Sequence, residues 1–160
     1  MTPAWLIDHL GMKPHPEGGH YVETFRDVPE SGGRGALTCI HFLLQVDEVS
    51  AWHRIDAAEI WHFAAGDPLV LTLSANGHDA EAMYLGPDVA AGQRPHVVVP
   101  PDCWQTAETL GSWTLVSCIV APAFDFDGFE LAPPDWRPKP RAAGRAPGPS
   151  MPDSSVKGSS

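Results

Sequence analysis

Short segments rich in β-forming residues, each ending at a turn signal, dominate the chain between residues 20 and 121. Runs such as PLVLTLS are bounded by Gly, Pro, Asn and Asp clusters such as AAGDP and ANGHD. This spacing, without alternating helices, is typical of an antiparallel sandwich or barrel and argues against a parallel sheet. We therefore predict an all-β fold with strands at 21–26, 36–45, 50–55, 58–64, 68–74, 80–85, 95–99, 103–108 and 112–121.

One short helix is predicted at residues 3–10, because Trp5, Leu6 and Leu10 recur at helical spacing and Gly11 follows them. The strand at 36–45 is almost continuously apolar, which is typical of a strand that is buried on both faces or lies at a subunit interface. The chain therefore has enough apolar sequence for one β domain, and we assign that domain to residues 1–132.

The first strand after this helix alternates, which places Tyr21, Glu23 and Phe25 on one face and Val22 and Arg26 on the other. A strand of this kind has one face toward the interior of the fold. Tyr21 is therefore a candidate for lining an internal pocket.

Charge is divided unevenly between the body of the chain and its C-terminal part. Residues 1–132 carry five Lys or Arg against 18 Asp or Glu, a charge of −13, whereas residues 133–160 carry five against two, or +3. An acidic body argues against a nucleic-acid partner, which would require a basic stripe. Residues 133–160 are rich in Pro, Gly and Ser, so we predict a disordered tail there.

The cysteines and the hydropathy pattern favour a cytoplasmic protein. Cys39, Cys103 and Cys118 are odd in number and form no CxxC pair, and the N-terminus has no charged-then-apolar signal pattern. No apolar run reaches the roughly 18 residues that a membrane span requires. We expect reduced cysteines and no membrane partner.

The stretch SAWHRIDAAEIWHFAAGDP carries the clearest motif. His53, Glu59 and Gly66 are spaced as in the first cupin motif, G-x5-H-x-H-x3-4-E-x6-G, but Ile55 occupies the second histidine position. The second cupin motif, G-x5-P-x-G-x2-H-x3-N, is also matched in part. There Pro100 is followed by Asp102 in place of glycine and by Gln105 in place of histidine.

Longer stretches resemble the small stand-alone cupin-5 family, often labelled predicted cupin sugar epimerases. The matching stretches are PHPEGGHYVETFR (14–26), SAWHRIDAAEIWHFAAGDPLVL (50–71), VVVPPDCWQTAE (97–108) and CIVAPAFDFDGFELA (118–132). The resemblance implies a double-stranded β-helix, a jelly-roll barrel with a pocket inside, and a homodimer. It implies little about the reaction, because the epimerase label rests on likeness to metal-free nucleotide-sugar epimerases.

The residues at the motif positions argue against a tightly bound metal. A cupin metal is typically held by three His and one Glu, whereas this chain offers His53, Glu59 and Gln105. An amide oxygen is a weak ligand for a transition metal. We therefore expect no cofactor; the alternative is a divalent ion loosely bound by these three residues.

General acid–base chemistry is the leading interpretation of the retained pair. His53 is predicted to be the base and Glu59 to orient it, while Tyr21 or Glu17 handles a second proton. Candidate substrate-binding residues are aromatic, cationic or amide side chains, namely Arg26, Arg54, Trp61, Trp104, Gln105 and Phe124. The other histidines, His15 among them, show no metal-ligand spacing.

Three functions remain open at this point. The first is a metal-independent isomerase or epimerase acting on a small polar, sugar-like or carbonyl-bearing molecule. The second is a metal-dependent oxygenase, lyase or isomerase. The third is a dimer that binds a small molecule without catalysis.

Overall fold

The structure, a computed structural model, describes residues 1–141 and consists of one helix and two antiparallel sheets. The bounds in chain order are α1 Pro3–Leu10, β1 Lys13–Pro14, β2 His20–Arg26, β3 Thr38–Gln45, β4 Ser50–Ile55, β5 Ala58–Gly66, β6 Leu69–Ser74, β7 Glu81–Leu85, β8 His96–Val99, β9 Trp104–Thr109, β10 Trp113–Ala121 and β11 Phe129–Leu131. Single 3-10 turns cover Val89–Ala91 and Phe126–Gly128. None of the helices in this part of the chain is long and apolar enough to cross a membrane.

The predicted all-β jelly-roll barrel with one N-terminal helix is confirmed. One sheet has the strand order β1-β2-β3-β10-β5-β8, and the other has the order β11-β4-β9-β6-β7. The predicted strands agree with the observed ones to within two residues at each end. The strand expected at 36–45 begins at Thr38, because the Ala36 N–H donates to the Asp27 carboxylate at 2.7 Å in a loop instead.

Helix α1 begins and ends where its capping residues predict. The Thr2 hydroxyl accepts a hydrogen bond from the Trp5 N–H, and Gly11 ends the helix in the left-handed conformation. Leu6 faces the barrel and packs with Met12 and Leu43, all of them buried. The helix therefore covers part of the outer face of the six-stranded sheet.

Apolar side chains from both sheets form the main core. Phe42 and Trp61 meet edge to face, with ring centroids 5.7 Å apart, and both are buried. Buried ionisable groups lie beside this core, among them Glu17, His53 and Glu59. Because burial of such groups is costly unless they are hydrogen bonded, their surroundings mark a candidate functional site.

Two β-bulges change which side chains point inward. The pairing of β2 with β3 shifts between Glu23 and Phe25, so Arg26 joins Glu23 on the wall of the internal cavity while Phe25 is 53% exposed. The prediction that Phe25 shares a face with Tyr21 and Glu23 is therefore wrong, because simple alternation fails where the strand gains a residue. A second shift, between Ser50 and His53, turns both of those side chains into the interior.

Disorder is predicted from residue 133, but the segment 133–141 contacts the barrel through Trp136 and Lys139. Trp136 lies on the outer face of the five-stranded sheet, with its ring centroid 4.5 Å from Trp104 and 5.5 Å from Trp52. The Lys139 N–H donates to the Gly77 carbonyl at 2.9 Å. The expectation of a tail without structure is thus wrong for this segment, and residues 142–160 lie outside the described residues.

Candidate active site

A small internal cavity, with a volume of about 60 Å³, lies between the two sheets. Its walls come from β2, β3, β4, β5 and β10 and from the segments around residues 15–17 and 124–129. Six of the residues selected from the sequence line it, namely Glu17, Tyr21, Arg26, His53, Glu59 and Phe124. The volume is far below the roughly 300–1,000 Å³ of sites for drug-sized ligands, so only a small chemical group fits inside.

A tight turn positions Glu17 at this cavity. The His15 N–H donates to the Gly19 carbonyl at 2.9 Å, and the Gly18 N–H donates to the His15 carbonyl at 3.0 Å. The turn is tied to β4 by a bond of 2.8 Å from the Ala51 N–H to the Glu17 carbonyl. Gly18 adopts a φ of 111°, a conformation that favours glycine. The Glu17 carboxyl is thereby held inward, with only 8% of the residue exposed.

His53 and Glu17 form a hydrogen-bonded pair. His53 Nε2 lies 3.0 Å from Glu17 Oε2, and the Ser50 hydroxyl donates to Glu17 Oε1 at 3.0 Å. His53 Nδ1 lies 2.7 Å from the Ala51 carbonyl oxygen, which can only accept, so Nδ1 carries a proton. The remaining contact, between Nε2 and Oε2, therefore holds one proton, on either the imidazole or the carboxyl.

Burial decides where that proton resides at neutral pH. Burial raises the pKa of Glu17 to about 8, although the bond from Ser50 works in the opposite direction. Burial also lowers the pKa of His53, against the opposing influence of Glu59 and the Ala51 carbonyl. The pair is thus best described as a protonated Glu17 donating to a neutral His53.

Glu59 is held by a different set of partners. Gln105 Nε2 donates to Glu59 Oε2 at 2.8 Å, and the Trp61 indole N–H donates to Gln105 Oε1 at 2.8 Å. Since the indole nitrogen can only donate, the amide oxygen must face Trp61 and the amide NH₂ must face Glu59. Burial raises the pKa of Glu59 to about 7, while the neighbouring His53 favours its charged form. The sequence predicts that Glu59 orients His53. The hydrogen-bond partners of the imidazole are instead Glu17 and the Ala51 carbonyl.

The residues at the motif positions do not fit the metal of a typical cupin. Ile55 offers no ligand atom, and the Gln105 oxygen accepts from Trp61 rather than facing Glu59. Across residues 1–141, no three His, Cys, Asp or Glu side chains are grouped as a metal site would require. The alternative set of His53, Glu59 and Gln105 thus lacks its third donor, and no chemical step is assigned to a metal.

Several predicted substrate-binding residues lie away from the cavity. Arg54 pairs with Glu130 at 2.7 Å and covers the Trp104 ring at 4.6 Å on the outer face of the five-stranded sheet. Trp61 and Gln105 are fully buried, and neither lines the cavity. Gln105 donates directly to Glu59, and Trp61 donates to Gln105. Arg54 and Trp104 do not line the cavity, because alternation puts them opposite the inward-facing His53 and Gln105.

Arg26 and Phe124 lie at the cavity as expected. The Arg26 guanidinium donates two hydrogen bonds to Glu23, at 2.8 and 2.9 Å, and a third to the Phe124 carbonyl at 3.0 Å. Its charge is therefore already neutralised by Glu23. Phe124 packs edge to face on Phe126, with centroids 4.8 Å apart, and both rings line the cavity.

His15 is a cavity residue that the sequence reasoning passed over. Its side chain is 6% exposed, and its ring meets Tyr21 edge to face at 4.6 Å. Nδ1 accepts a hydrogen bond from the Glu17 N–H at 3.1 Å. Burial, with a smaller contribution from His53, lowers the pKa of His15 to about 4. The sequence does contain one signal for His15, because it is a titratable residue in a Pro- and Gly-rich turn directly before an alternating strand.

The Glu17–His53 pair predicts that the protein loses stability above neutral pH. Folded, the pair keeps one proton up to the raised pKa of Glu17, about 8, whereas the ordinary values in the unfolded chain are 4.5 and 6.5. Between pH 6.5 and 8 the folded state binds one more proton at this pair, so the free energy of unfolding falls as pH rises, by roughly 1 kcal/mol per unit. Glu59, with a pKa of about 7, adds to this fall only up to that pH.

Urea denaturation at pH 6.5, 7.25 and 8 measures this effect. We expect the midpoint to fall with pH in the wild-type protein, and Glu17→Gln to flatten the dependence because it removes the titrating carboxyl. Glu108→Gln is the matched control, since Glu108 is exposed on β9 and should leave the slope unchanged. An equal slope in wild type and Glu17→Gln would contradict the assignment of the proton to this pair.

Comparison with known proteins gives one family and several similar structures. The family model described as "Cupin superfamily (DUF985)" matches residues 4–132. A protein from Shewanella oneidensis is 36% identical with a TM-score of 0.78, covering 82% of this chain and 85% of that one. A hypothetical protein from Leishmania major is 31% identical with a TM-score of 0.74, covering 82% and 88% of the two chains.

More distant similarity extends to an enzyme of the same fold. A mutant of oxalate decarboxylase from Bacillus subtilis is 13% identical with a TM-score of 0.58, and the match covers 74% of this chain but 29% of that one. At this identity the likeness concerns the fold alone. No curated protein matches the chain.

Proposed function

Because the chain belongs to the Cupin_5 family of the cupin superfamily, we propose that its internal cavity is the active site of a metal-independent isomerase or epimerase. The observation that carries this proposal is the contact of 3.0 Å between His53 Nε2 and Glu17 Oε2. A second carboxyl with a raised pKa, Glu59, lines the same cavity. Two carboxyls with pKa values near neutrality suit the transfer of a proton from one position of a substrate to another.

The two carboxyls, rather than the histidine, are the groups that touch the substrate. Glu17 is 8% and Glu59 7% exposed, whereas His53 is 2% exposed and its Nε2 faces the Glu17 carboxyl. Glu59 accepts a hydrogen bond from the Gln105 amide, which favours its carboxylate, so we assign it as the base. Glu17, which shares a proton with His53, is assigned as the acid. His53 is a positioning residue, because its Nε2 accepts the hydrogen bond of protonated Glu17 and so fixes the orientation of that carboxyl.

The proposed reaction begins when the Glu59 carboxylate removes a proton from a carbon beside a carbonyl group. The electrons of the broken C–H bond form the enolate double bond, and the carbonyl pair moves to oxygen. Glu17 then delivers its proton to the other face of that carbon, for epimerisation. For isomerisation of a hydroxycarbonyl compound it delivers the proton to the former carbonyl carbon, while the proton of the neighbouring hydroxyl passes to the former carbonyl oxygen. Glu59 has gained one proton and Glu17 has lost one, and exchange with solvent restores both.

The cavity size and its lining limit the substrate to a small molecule at its reacting end. A volume of about 60 Å³ admits a carbonyl and its neighbouring carbon rather than a complete sugar ring. Phe124, Phe126 and Phe129 supply apolar walls on one side. We therefore favour a small hydroxyaldehyde, hydroxyketone or related carbonyl compound.

Solvent-deuterium exchange tests this function directly. The protein is incubated in D₂O with a panel of small hydroxyaldehydes, hydroxyketones and lactones, and ¹H NMR follows deuterium entering the carbon beside the carbonyl. We expect exchange that persists in a chelator and falls in His53→Ala and Glu59→Gln. Exchange that disappears in chelator and returns with added metal would favour the metal-dependent alternative. Saturable binding of these compounds without any exchange would favour a non-catalytic binding protein.

A further inference from the structure

His15 presents one unsatisfied donor to the cavity. Its Nδ1 accepts the Glu17 N–H at 3.1 Å, so Nδ1 carries no proton and a neutral ring holds its proton on Nε2. Nε2 has no hydrogen-bond partner within residues 1–141. Unlike His20 Nδ1, which is fully buried without a partner, it keeps some contact with solvent. Since His15 lines the cavity and only 6% of its side chain is exposed, we infer that its Nε2–H faces that cavity.

The cavity contains no free positive charge to receive an anion. Among the described residues lining it, Arg26 is the one with a permanent positive charge, and that charge is already paired with the Glu23 carboxylate. The two inner carboxyls, Glu17 and Glu59, would repel a bound anion whenever either ionises. A buried anion without a partner is strongly disfavoured.

We propose that neutral His15 donates its Nε2–H to the oxygen of the bound ligand, and that the cavity selects an uncharged carbonyl compound over the corresponding carboxylate. This inference rests on the proposed function, because it places the substrate oxygen at the same site as the Glu17 and Glu59 protons. A neutral imidazole in this position stabilises negative charge that develops on the oxygen during enolate formation. The lowered pKa of His15, about 4, keeps the ring neutral throughout the physiological range.

Nitrogen NMR of the whole protein tests the state of the ring. With ¹⁵N-labelled histidine at pH 7.5, we expect the His15 signals, assigned by their loss in His15→Asn, to report Nδ1 without and Nε2 with a proton. A proton on Nδ1, or an imidazolium, would overturn the proposal.

Equilibrium binding tests the choice of ligand, with glycolamide and glycolate as probes equal in their number of non-hydrogen atoms. We expect wild-type protein to bind glycolamide at least roughly tenfold more tightly than glycolate, measured by NMR titration. Tighter binding of glycolate, or saturable binding of neither probe, would overturn the proposal.

Two substitutions separate the donor from the structural bond that His15 makes. The amide oxygen of His15→Asn sits near Nδ1 and can still accept from the Glu17 N–H, whereas the amide nitrogen of His15→Gln sits near Nε2 and can still donate. Loss of one hydrogen bond should weaken glycolamide binding by roughly fivefold to tenfold in His15→Asn, with substantial recovery in His15→Gln. Equal losses would indicate a structural role and overturn the proposal. These equilibrium readouts need no turnover, so a protein without exchange activity that passes them would refute only the proposed function.

Discussion

Glu17→Gln is expected to lower the rate of solvent-deuterium exchange by roughly 10²–10⁴-fold, the usual contribution of a general acid or base. The amide has the size of the carboxyl and can still accept from Ser50 and donate to His53 Nε2, so the turn retains its contacts. It cannot, however, release a proton to the substrate. The measurement is the rate of deuterium incorporation into whichever carbonyl compound exchanges most rapidly with wild-type protein.

Glu108→Gln again serves as the control, because it removes an exposed carboxyl of β9 that does not line the internal cavity. Its exchange rate should equal that of wild type. Urea denaturation of both variants separates a loss of chemistry from a loss of folded protein. A Glu17→Gln rate within threefold of wild type would mean that another group donates the proton.

Gly18→Ala is expected to reduce the free energy of unfolding by about 3 kcal/mol. Gly18 has a φ of 111°, and an added Cβ would overlap the Val49 carbonyl oxygen, which belongs to the backbone and cannot rotate away. Relief of the clash requires the turn and the start of β4 to separate, which would break the bond from the Ala51 N–H to the Glu17 carbonyl. Exchange activity should fall with stability, because the same turn holds the Glu17 carboxyl at His53.

Gly92→Ala provides the matched comparison. Gly92 also has a positive φ, 87°, but a Cβ there would meet no atom within 4 Å. Its cost should be limited to backbone strain, about 1 kcal/mol. Equal urea midpoints for the two variants would show that the contact with Val49 has no energetic weight.

The strands could be predicted closely because each has a period of two and ends at a strong turn signal. One residue that departs from the second cupin motif also has a structural explanation. Asp102 occupies a position where the cupin motif has glycine, and its φ is 62°. Asp is among the few residues that tolerate this conformation, so the substitution preserves the turn. The bulges in β2 and β4 were not predictable, because they depend on pairing with neighbouring strands.

The sequence predicted six of the fifteen residues that line the cavity, but it did not predict which of them pair. His53, Glu59, Glu17 and Tyr21 were selected, but Glu17 and His53 are brought together by a turn and a strand that meet only in three dimensions. The motif spacing instead suggested His53 with Glu59. The outward position of Arg54 could be predicted, since the alternation that turns His53 inward also turns Arg54 outward.

Tail packing was missed because a single residue determines it. Within PPDWRP the composition indicates disorder, and only Trp136 has a large apolar surface to bury. Its partners Trp52 and Trp104 come from two separate strands, β4 and β9. Composition averages over a window, so it cannot register an interaction that depends on one side chain.

The packing of Trp136 also gives the protein a built-in spectroscopic reporter. The ring centroid of Trp136 lies 4.5 Å from that of Trp104 and 5.5 Å from that of Trp52. Chromophores this close couple electronically, so the cluster should give a circular dichroism couplet and a fluorescence spectrum different from that of isolated tryptophans. Residues 133–141 lie beyond the segment matched by the family, residues 4–132, and a chain shortened to that segment would lose the couplet and uncover two indole faces. Release of this segment could thus be followed optically without any added label.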